Sequence, residues 1–204
     1  MSTGRMEAFS DGVIAILITV MVLELPTPHG TDWGALREAA PVLLCYVLSF
    51  VYLGIYWNNH HHMLQITQRV TGLILWANLH LLFWLSLIPF ATAWLGENEF
   101  APIPAAAYGI VLLAAALAYF ALQTAIIRDQ GPGSVVAHAV GRDVKGRLSP
   151  AAYALGIGLS FVSQWLAMAV YAGMAVVWLV PDRRIERTVR ASPPADLTAA
   201  AEDG

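Results

Sequence analysis

The sequence is poor in charged residues, which make up 12% of its 204 residues, whereas 58% of the residues are hydrophobic. Soluble globular domains carry about 25% charged residues. Half that fraction cannot coat a water-soluble body of this size, so the composition excludes an ordinary soluble domain and indicates a membrane protein. The formal net charge of -3 gives no reason to expect a nucleic-acid partner.

Cysteine is nearly absent as well. Cys45 is the single cysteine, which excludes an intrachain disulfide and a cysteine-rich metal or haem site. The sequence also lacks the G-x-S-x-G, H-E-x-x-H, Walker A and G-x-G-x-x-G signatures of enzymes and nucleotide-binding proteins. It contains no T-V-G-Y-G filter of the conventional potassium channels. We therefore predict that the protein is not an enzyme and has no cofactor and no fixed metal site.

Long uncharged stretches are what the sequence does contain, at 39–68, 70–96, 100–127 and 148–181. Each is long enough for the roughly 20 residues of a membrane-spanning helix. The last stretch is too long for one span, and we divide it near Ser163. One more span near the N-terminus forms only if Asp11 and Glu24 are included. The predicted fold is therefore all-α, a polytopic membrane protein with six transmembrane helices at about 6–25, 41–59, 73–95, 103–127, 149–163 and 165–181.

The basic residues predict the orientation of these helices. With six spans, every Lys and Arg except Arg37 lies on one side of the membrane. With five spans, the four arginines after residue 181 would move to the other side. The positive-inside rule therefore favours six spans with both termini in the cytoplasm. We predict one transmembrane domain over 1–190 and a disordered tail over 191–204, which is rich in Ala and Pro.

The first predicted helix carries a narrow stripe of small and branched residues. Gly12, Ile16, Thr19 and Leu23 recur at steps of four, three and four, with Val20 beside them. Such a stripe is typical of an ordinary seam between two helices, and also of helices that pack around a symmetry axis. The pattern alone leaves both possibilities open.

Asp11 lies within this apolar helix, where a carboxylate is costly unless it is paired or lines a water-filled path. It is either a structural pin, bonded to a histidine or tryptophan of another helix, or a proton or cation site. The nearby candidates are His60, His61 and His62, which are either solvated at the interface or bonded to Asp11 or Ser10. Adjacent histidines on one helix point about 100° apart, so they cannot converge on one metal ion.

The residues that open the first helix, 5–11, read RMEAFSD and continue into Gly12 and Ile16. This sequence closely resembles the R-x-x-x-F-S-D signature of the transmembrane protein 175 family, which includes the lysosomal potassium channel of animals and shorter bacterial relatives. Trp57 and the stretch 78–90 are also similar to family patterns. The resemblance covers most of residues 5–95.

This resemblance implies a pore lined by the first helix and a homotetramer for a chain with a single six-helix repeat. The family's constriction is an isoleucine five residues after the motif aspartate, which corresponds to Ile16. The next pore-facing layers correspond to Thr19, Val20 and Leu23. The residues expected to hold the first helix in register with its neighbours are Arg5, Phe9, Ser10, Asp11, His60 and His61.

The resemblance therefore predicts a potassium-permeable cation channel that conducts passively, with a ring of Ile16 side chains as hydrophobic gate and selectivity filter. Its expected partners are further copies of the chain, monovalent cations and the lipid bilayer. One alternative is a proton-coupled secondary transporter that uses Asp11 and the histidines as a relay. Another is a membrane protein with a structural role and no flux. The single repeat and Ala-rich helices suggest the inner membrane of a bacterium.

Overall fold

The computed structural model describes residues 2–140 and 144–179, and within these residues all regular secondary structure is helical. The predicted tail over 191–204 and the end of the last predicted span lie outside the described residues. The helices are α1 (Thr3–Leu23), α2 (Trp33–Glu38), α3 (Ala40–Gln65), α4 (Gly72–Ser86), α5 (Ile88–Glu97), α6 (Pro102–Gln130), α7 (Val135–Val140), α8 (Val144–Ser160) and α9 (Gln164–Leu179).

Four helical segments among the described residues are long and apolar enough to cross a membrane. They are Thr3–Leu23, Ala40–Gln65, Gly72–Glu97 and Pro102–Gln130, of which the third comprises α4 and α5. The helices α8 and α9 have 17 and 16 residues, fewer than the roughly 20 of a typical span. The fold is thus an all-helical membrane fold with four clear candidate spans.

Consecutive long helices run antiparallel to each other. At one end, which we call the basic end, Thr3 at the start of α1 donates a hydrogen bond to the Thr67 carbonyl just after α3, at 3.3 Å. At the opposite end, a Cβ atom at Gly96 of α5 would lie only 2.8 Å from the Cα atom of Val42 in α3. The glycine therefore allows the two backbones to approach closely where α3 begins and α5 ends.

The part of the core between α3, α6, α8 and α9 is rich in buried tyrosine. Tyr52, Tyr108, Tyr153 and Tyr171 are each at most 2% exposed. Their hydroxyl groups find partners inside the bundle: the Tyr52 hydroxyl donates to the Tyr171 carbonyl at 2.7 Å, and the Tyr108 hydroxyl lies 2.9 Å from that of Ser49. Burial of a hydroxyl group costs free energy unless the group forms a hydrogen bond, and these partners offset that cost.

The third predicted span, 73–95, is not one continuous helix. The chain leaves regular α-helix at Leu87, whose amide donates to the Trp84 carbonyl at 3.2 Å in a tighter turn. Pro89 explains the interruption, because proline has no N–H group to donate and its ring clashes with the carbonyl four residues earlier. The segment still has the length of one span, with a kink where α4 meets α5.

Two short helices lie in stretches between the predicted spans. The helix α2 lies between the first two long helices and begins where the Asp32 carboxylate accepts from the Ala35 amide at 2.9 Å. The helix α7 follows Ser134, whose hydroxyl oxygen accepts a hydrogen bond from the Ala137 amide at 3.2 Å. Asp and Ser are favourable helix caps, so these two residues were the available sequence signals.

The chain also turns between α8 and α9, at residues 161–163. There the amides of Val162 and Ser163 donate to the Leu159 carbonyl at 2.9 and 2.8 Å. The predicted division near Ser163 therefore coincides with a turn between two helices. The helix α8 starts at Val144 rather than at the predicted residue 149.

Candidate functional site

One face of α1 is buried against the other helices of the chain. Its buried residues follow at intervals of three or four, as expected for a helix that packs on one side, and they are Met6, Ser10, Ile14, Leu17 and Met21. This face contacts α3, α4 and α5. The position of α1 on the bundle is therefore determined by contacts along its full length.

The opposite face of α1 is exposed in the isolated chain and contains the four predicted pore-lining residues. Ile16 is 60% exposed and Leu23 81% exposed, and Thr19 and Val20 are exposed as well. The Thr19 hydroxyl donates to the Ile16 carbonyl at 2.9 Å, so its hydrogen atom is already used within α1. Gly12 extends this face toward the basic end, and a Cβ atom there would meet no other atom within 4 Å.

A buried polar chain joins α1 to α4 and α3. The Asn78 amide group donates to the Ser10 hydroxyl oxygen at 3.0 Å, and the Asn78 side-chain oxygen lies 2.7 Å from His60 Nε2. The Ser10 hydroxyl in turn donates to the Met6 carbonyl at 2.9 Å. Since the Asn78 oxygen is the acceptor, His60 Nε2 carries the proton in this arrangement.

His60 is fully buried, so solvation at the interface is wrong for this histidine. Its link to Ser10 passes through Asn78 rather than being direct. The helix α3 continues to Gln65, beyond its predicted end at residue 59, which places His60 inside the helix. A polar group in this position requires a partner, and Asn78 provides it.

Asp11 contacts a tryptophan of the neighbouring helix. Trp57 Nε1 donates to the Asp11 carboxylate at 3.1 Å. The tryptophan ring also stacks on the His61 ring, with centroids 5.9 Å apart and planes 20° apart. This geometry matches the pin to a histidine or tryptophan that was one of the two hypotheses for Asp11.

His61 faces a second carboxylate of α1. Its Nδ1 atom lies 2.7 Å from the Glu7 carboxylate, and its Nε2 atom lies 2.8 Å from the side-chain amide of Gln65. Glu7, Asp11 and His61 bring one carboxylate or imidazole atom each within 4.8 Å of one another. Sequence reasoning did not include Glu7 in the site, although it lies four residues before Asp11 and hence on the same face of α1.

Arg5 and Phe9 are not brought into these contacts. Phe9 is 51% exposed, and Arg5 is also exposed. Arg5 takes part in neither of two close contacts between basic and acidic side chains, His61 with Glu7 and Arg69 with Asp129. Both side chains are therefore available for contacts outside the single chain.

A cavity of about 40 Å³ lies on the far side of α3, between α3, α6, α8 and α9. Its lining includes Tyr56, Asn59, Gln123 and Ser149 and none of the predicted pore-lining residues. This cavity is thus separate from the exposed face of α1.

Comparisons with known proteins all relate the chain to the same family of channels. Residues 5–89 match the family described as endosomal/lysosomal potassium channel TMEM175. The chain is 50% identical over 190 residues to a protein of Chryseobacterium sp. named potassium channel, an alignment that covers 93% of this chain and 99% of the relative.

A solved structure and an animal protein extend the comparison. The crystal structure of a lysosomal potassium-selective channel TMEM175 homolog from Chamaesiphon minutus superimposes with a TM-score of 0.78 at 30% identity, and covers 89% of this chain and 97% of that chain. The Gallus gallus protein named endosomal/lysosomal proton channel TMEM175 is 35% identical over 103 residues, which are 45% of this chain and 21% of the relative.

Proposed function

The chain belongs to the TMEM175 family of membrane channels, and we propose that it forms a homotetrameric, potassium-permeable channel in the inner membrane of a bacterium. It is a multi-pass membrane protein, and its family and relatives are channels rather than enzymes. The observation that carries the proposal is the exposed apolar face of α1, which lies opposite a face fixed to the rest of the bundle.

In the proposed tetramer, the exposed faces of four α1 helices surround a common axis. The Ile16 side chains form a ring of branched apolar groups, from which water withdraws readily, so that ions pass only when the ring widens. Thr19, Val20 and Leu23 line the path from this ring toward the outer mouth. Potassium is the permeant ion in this proposal, and no cofactor is needed for passive conduction.

The buried contacts of α1 support this mechanism because a constriction works only if its side chains are held in place. A functional group must be kept within about 0.5 Å of its working position by the residues around it. The bond of Asp11 to Trp57 and the polar chain from Ser10 through Asn78 to His60 hold α1 against α3 and α4. We propose that these contacts set the rotation of α1 and therefore the direction of Ile16.

The proposed topology has six spans, formed by α1, α3, the kinked α4 and α5 pair, α6, α8 and α9. Both termini are then cytoplasmic, together with the basic end of the bundle. Arg69 at that end contacts the Asp129 carboxylate at 2.7 Å, which ties the turn after α3 to the last turn of α6. The shorter helices complete the bundle: α8 packs on α6 and α9, and α9 also packs on α3.

The experiment that tests this function is the reversal potential of the purified protein in planar bilayers with potassium on one side and sodium on the other. We expect a potassium-selective current from the wild type. Ile16→Asn should lower the potassium-to-sodium permeability ratio or increase the leak, because a polar ring holds water and hydrated ions.

Ile110→Asn is the matched control, since it makes the same change at an exposed position of α6, where Ile110 is 50% exposed. This variant should keep the wild-type permeability ratio. An unchanged ratio in Ile16→Asn, or an equal loss in Ile110→Asn, would contradict the assignment of Ile16. No current from correctly assembled protein would contradict the channel itself.

Proton transport is the second candidate, because the matched animal relatives are named proton channels and the carboxylate of Asp11 lies near His61. With equal potassium on both sides and a pH gradient, a potassium channel has a reversal potential near zero. A shift toward the proton equilibrium potential would favour a proton channel. A flux that saturates with substrate and is coupled to protons would favour the transporter.

A further inference from the structure

We propose that Glu7, Asp11 and His61 form a binding site for a divalent transition-metal ion, and that Zn²⁺ is the ion that fits them best. One donor atom of each residue lies within 4.8 Å of the other two. Glu7 and Asp11 come from α1 and His61 from α3, so the three donors converge only in the folded chain. The prediction of no fixed metal site considered the adjacent histidines of one helix and did not include this arrangement.

The spacing of the donor atoms suits zinc after small side-chain movements. Donors around a tetrahedral Zn²⁺ at 2.0–2.2 Å from the ion are separated from one another by about 3.4 Å. No pair of donors therefore needs to approach by more than about 1.4 Å, and the 2.7 Å contact of Glu7 with His61 must lengthen as the ion enters. Rotation of side chains alone can supply such movements.

The donor set determines which cation is preferred. Imidazole nitrogen suits Zn²⁺, Cu²⁺ and Ni²⁺, whereas Mg²⁺ and Ca²⁺ favour sites made of oxygen alone. Two carboxylates balance the charge of a divalent ion, which leaves the site neutral at the edge of an apolar helix bundle. A monovalent potassium ion would gain little from the imidazole and would leave one negative charge unbalanced.

Residues around the three donors are placed as outer-shell partners. Metal-binding histidines nearly always bond through their second ring nitrogen, which fixes the ring and its tautomer. The Gln65 side-chain amide nitrogen lies 2.8 Å from His61 Nε2. If the Gln65 amide group rotates, its oxygen can accept a hydrogen bond from a protonated His61 Nε2, and His61 Nδ1 then carries the lone pair that binds the ion. Trp57 bonds to one oxygen of Asp11 and leaves the other for the ion.

The site is open to solvent at the basic end. The side chains of His61 and Glu7 are 32% and 23% exposed, so an ion can enter, and water can occupy the fourth coordination position of the tetrahedron. A bound ion would connect the first turns of α1 to the last turns of α3. Asp11 precedes Ile16 by five residues, about 7.5 Å along the helix, which places the ion on the cytoplasmic side of the proposed constriction.

The test is direct metal binding to the full-length protein in detergent, produced without a polyhistidine tag and treated with a chelator. We expect saturable binding of one Zn²⁺ per chain by calorimetry, and visible absorption bands of a tetrahedral site when Co²⁺ is used instead. His61→Gln should weaken Zn²⁺ binding at least about tenfold, because loss of an outer-shell partner alone costs 10–100-fold. Asp11→Asn, which keeps an oxygen to accept from Trp57, should also weaken binding.

His62→Gln is the matched control, because it removes the neighbouring histidine and leaves the three donors in place. It should bind Zn²⁺ as the wild type does. Wild-type affinity in His61→Gln, an equal loss in His62→Gln, or no saturable binding to the wild type would overturn the proposal. If His61→Gln does not fold, Glu7→Gln serves as the second variant with the same expected loss. Metal binding is measured without current, so a failure of the proposed channel function would not be mistaken for a failure of this site.

Discussion

Asn78 is the residue on which the buried polar contacts of α1 converge. Its side chain bonds to Ser10 on α1 at 3.0 Å and to His60 on α3 at 2.7 Å, and it is 1% exposed. Both its donor and its acceptor are therefore used, each by a different helix. A hydrogen-bonded pair within a membrane protein is worth only about 0.6 kcal/mol on average, so the importance of Asn78 lies in the two groups that depend on it.

We expect Asn78→Ala to lower the free energy of unfolding by about 1–3 kcal/mol, because the variant leaves buried polar groups of Ser10 and His60 without their partner. The measurement is the midpoint of thermal unfolding in detergent. Asn98→Ala is the control: Asn98 directly follows α5, is exposed, and its side chain donates to the Trp94 carbonyl at 2.8 Å. An equal loss of stability in both variants would mean that the link between helices has no special role.

The sequence indicated that Asp11 needs a partner, but not which one. A carboxylate in an apolar helix has few ways to be stabilised, so its contact with a histidine or tryptophan followed from physical reasoning. The path from Ser10 to His60 was not predictable, because it depends on the rotation and axial position of α4 relative to α1. A single sequence contains no direct record of those two quantities.

Among the helices, α6, α8 and α9 pack closely because glycine replaces a side chain at their contacts. A Cβ atom at Gly156 of α8 would overlap the ring of Tyr171 in α9, and one at Gly109 of α6 would overlap its hydroxyl group. That hydroxyl donates to the Ala105 carbonyl at 3.2 Å. Tyr171 thus lies between α6 and α8, in a space that the two glycines leave open.

We expect Gly156→Ala to destabilise the protein by about 1–3 kcal/mol, since the added methyl group must displace the Tyr171 ring in a packed core. Gly158→Ala is a control on the same helix, where a Cβ atom would meet nothing within 4 Å. That variant should be neutral or should stabilise α8 by up to about 1 kcal/mol, because alanine favours helix more than glycine does. The unfolding midpoints of the two variants distinguish these results. Similar midpoints would show that α9 is free to move away from α8.

The helices themselves were largely predictable from uncharged length, whereas their interruptions were not. Runs of apolar residues located α1, α3 and α6 to within a few residues, except that α3 extends six residues beyond its predicted end. The break at Leu87 was missed although Pro89 provided the signal, because proline is tolerated in some membrane helices and interrupts others. The helix α2 was missed because six residues are too few for periodicity to be recognised.

At the scale of the whole molecule, the fold of the single chain leaves one face of its first helix, α1, exposed. We expect Asp11→Ala to reduce the fraction of tetramer, because the loss of the bond to Trp57 lets α1 tilt away from α3 and misplaces the proposed axial face. Native mass spectrometry in detergent measures the fraction.

Asp11→Asn is the matched control for assembly, since its side-chain oxygen still accepts from Trp57. It should assemble as the wild type does. Normal assembly of Asp11→Ala, combined with a changed response of the current to pH, would instead identify Asp11 as a proton site.

The six-span topology predicts which loops reach each side of the membrane. In a Cys45→Ala background, single cysteines at Thr31 and Val162 should react with a membrane-impermeant thiol reagent on intact cells. Cysteines at Ser2 and Gly133 should react only after lysis. All four positions are exposed in the structure, so protection would reflect the membrane and not burial. The decisive position is Val162, between α8 and α9: if these short helices do not cross the bilayer, the cysteine there stays protected and the protein has four spans.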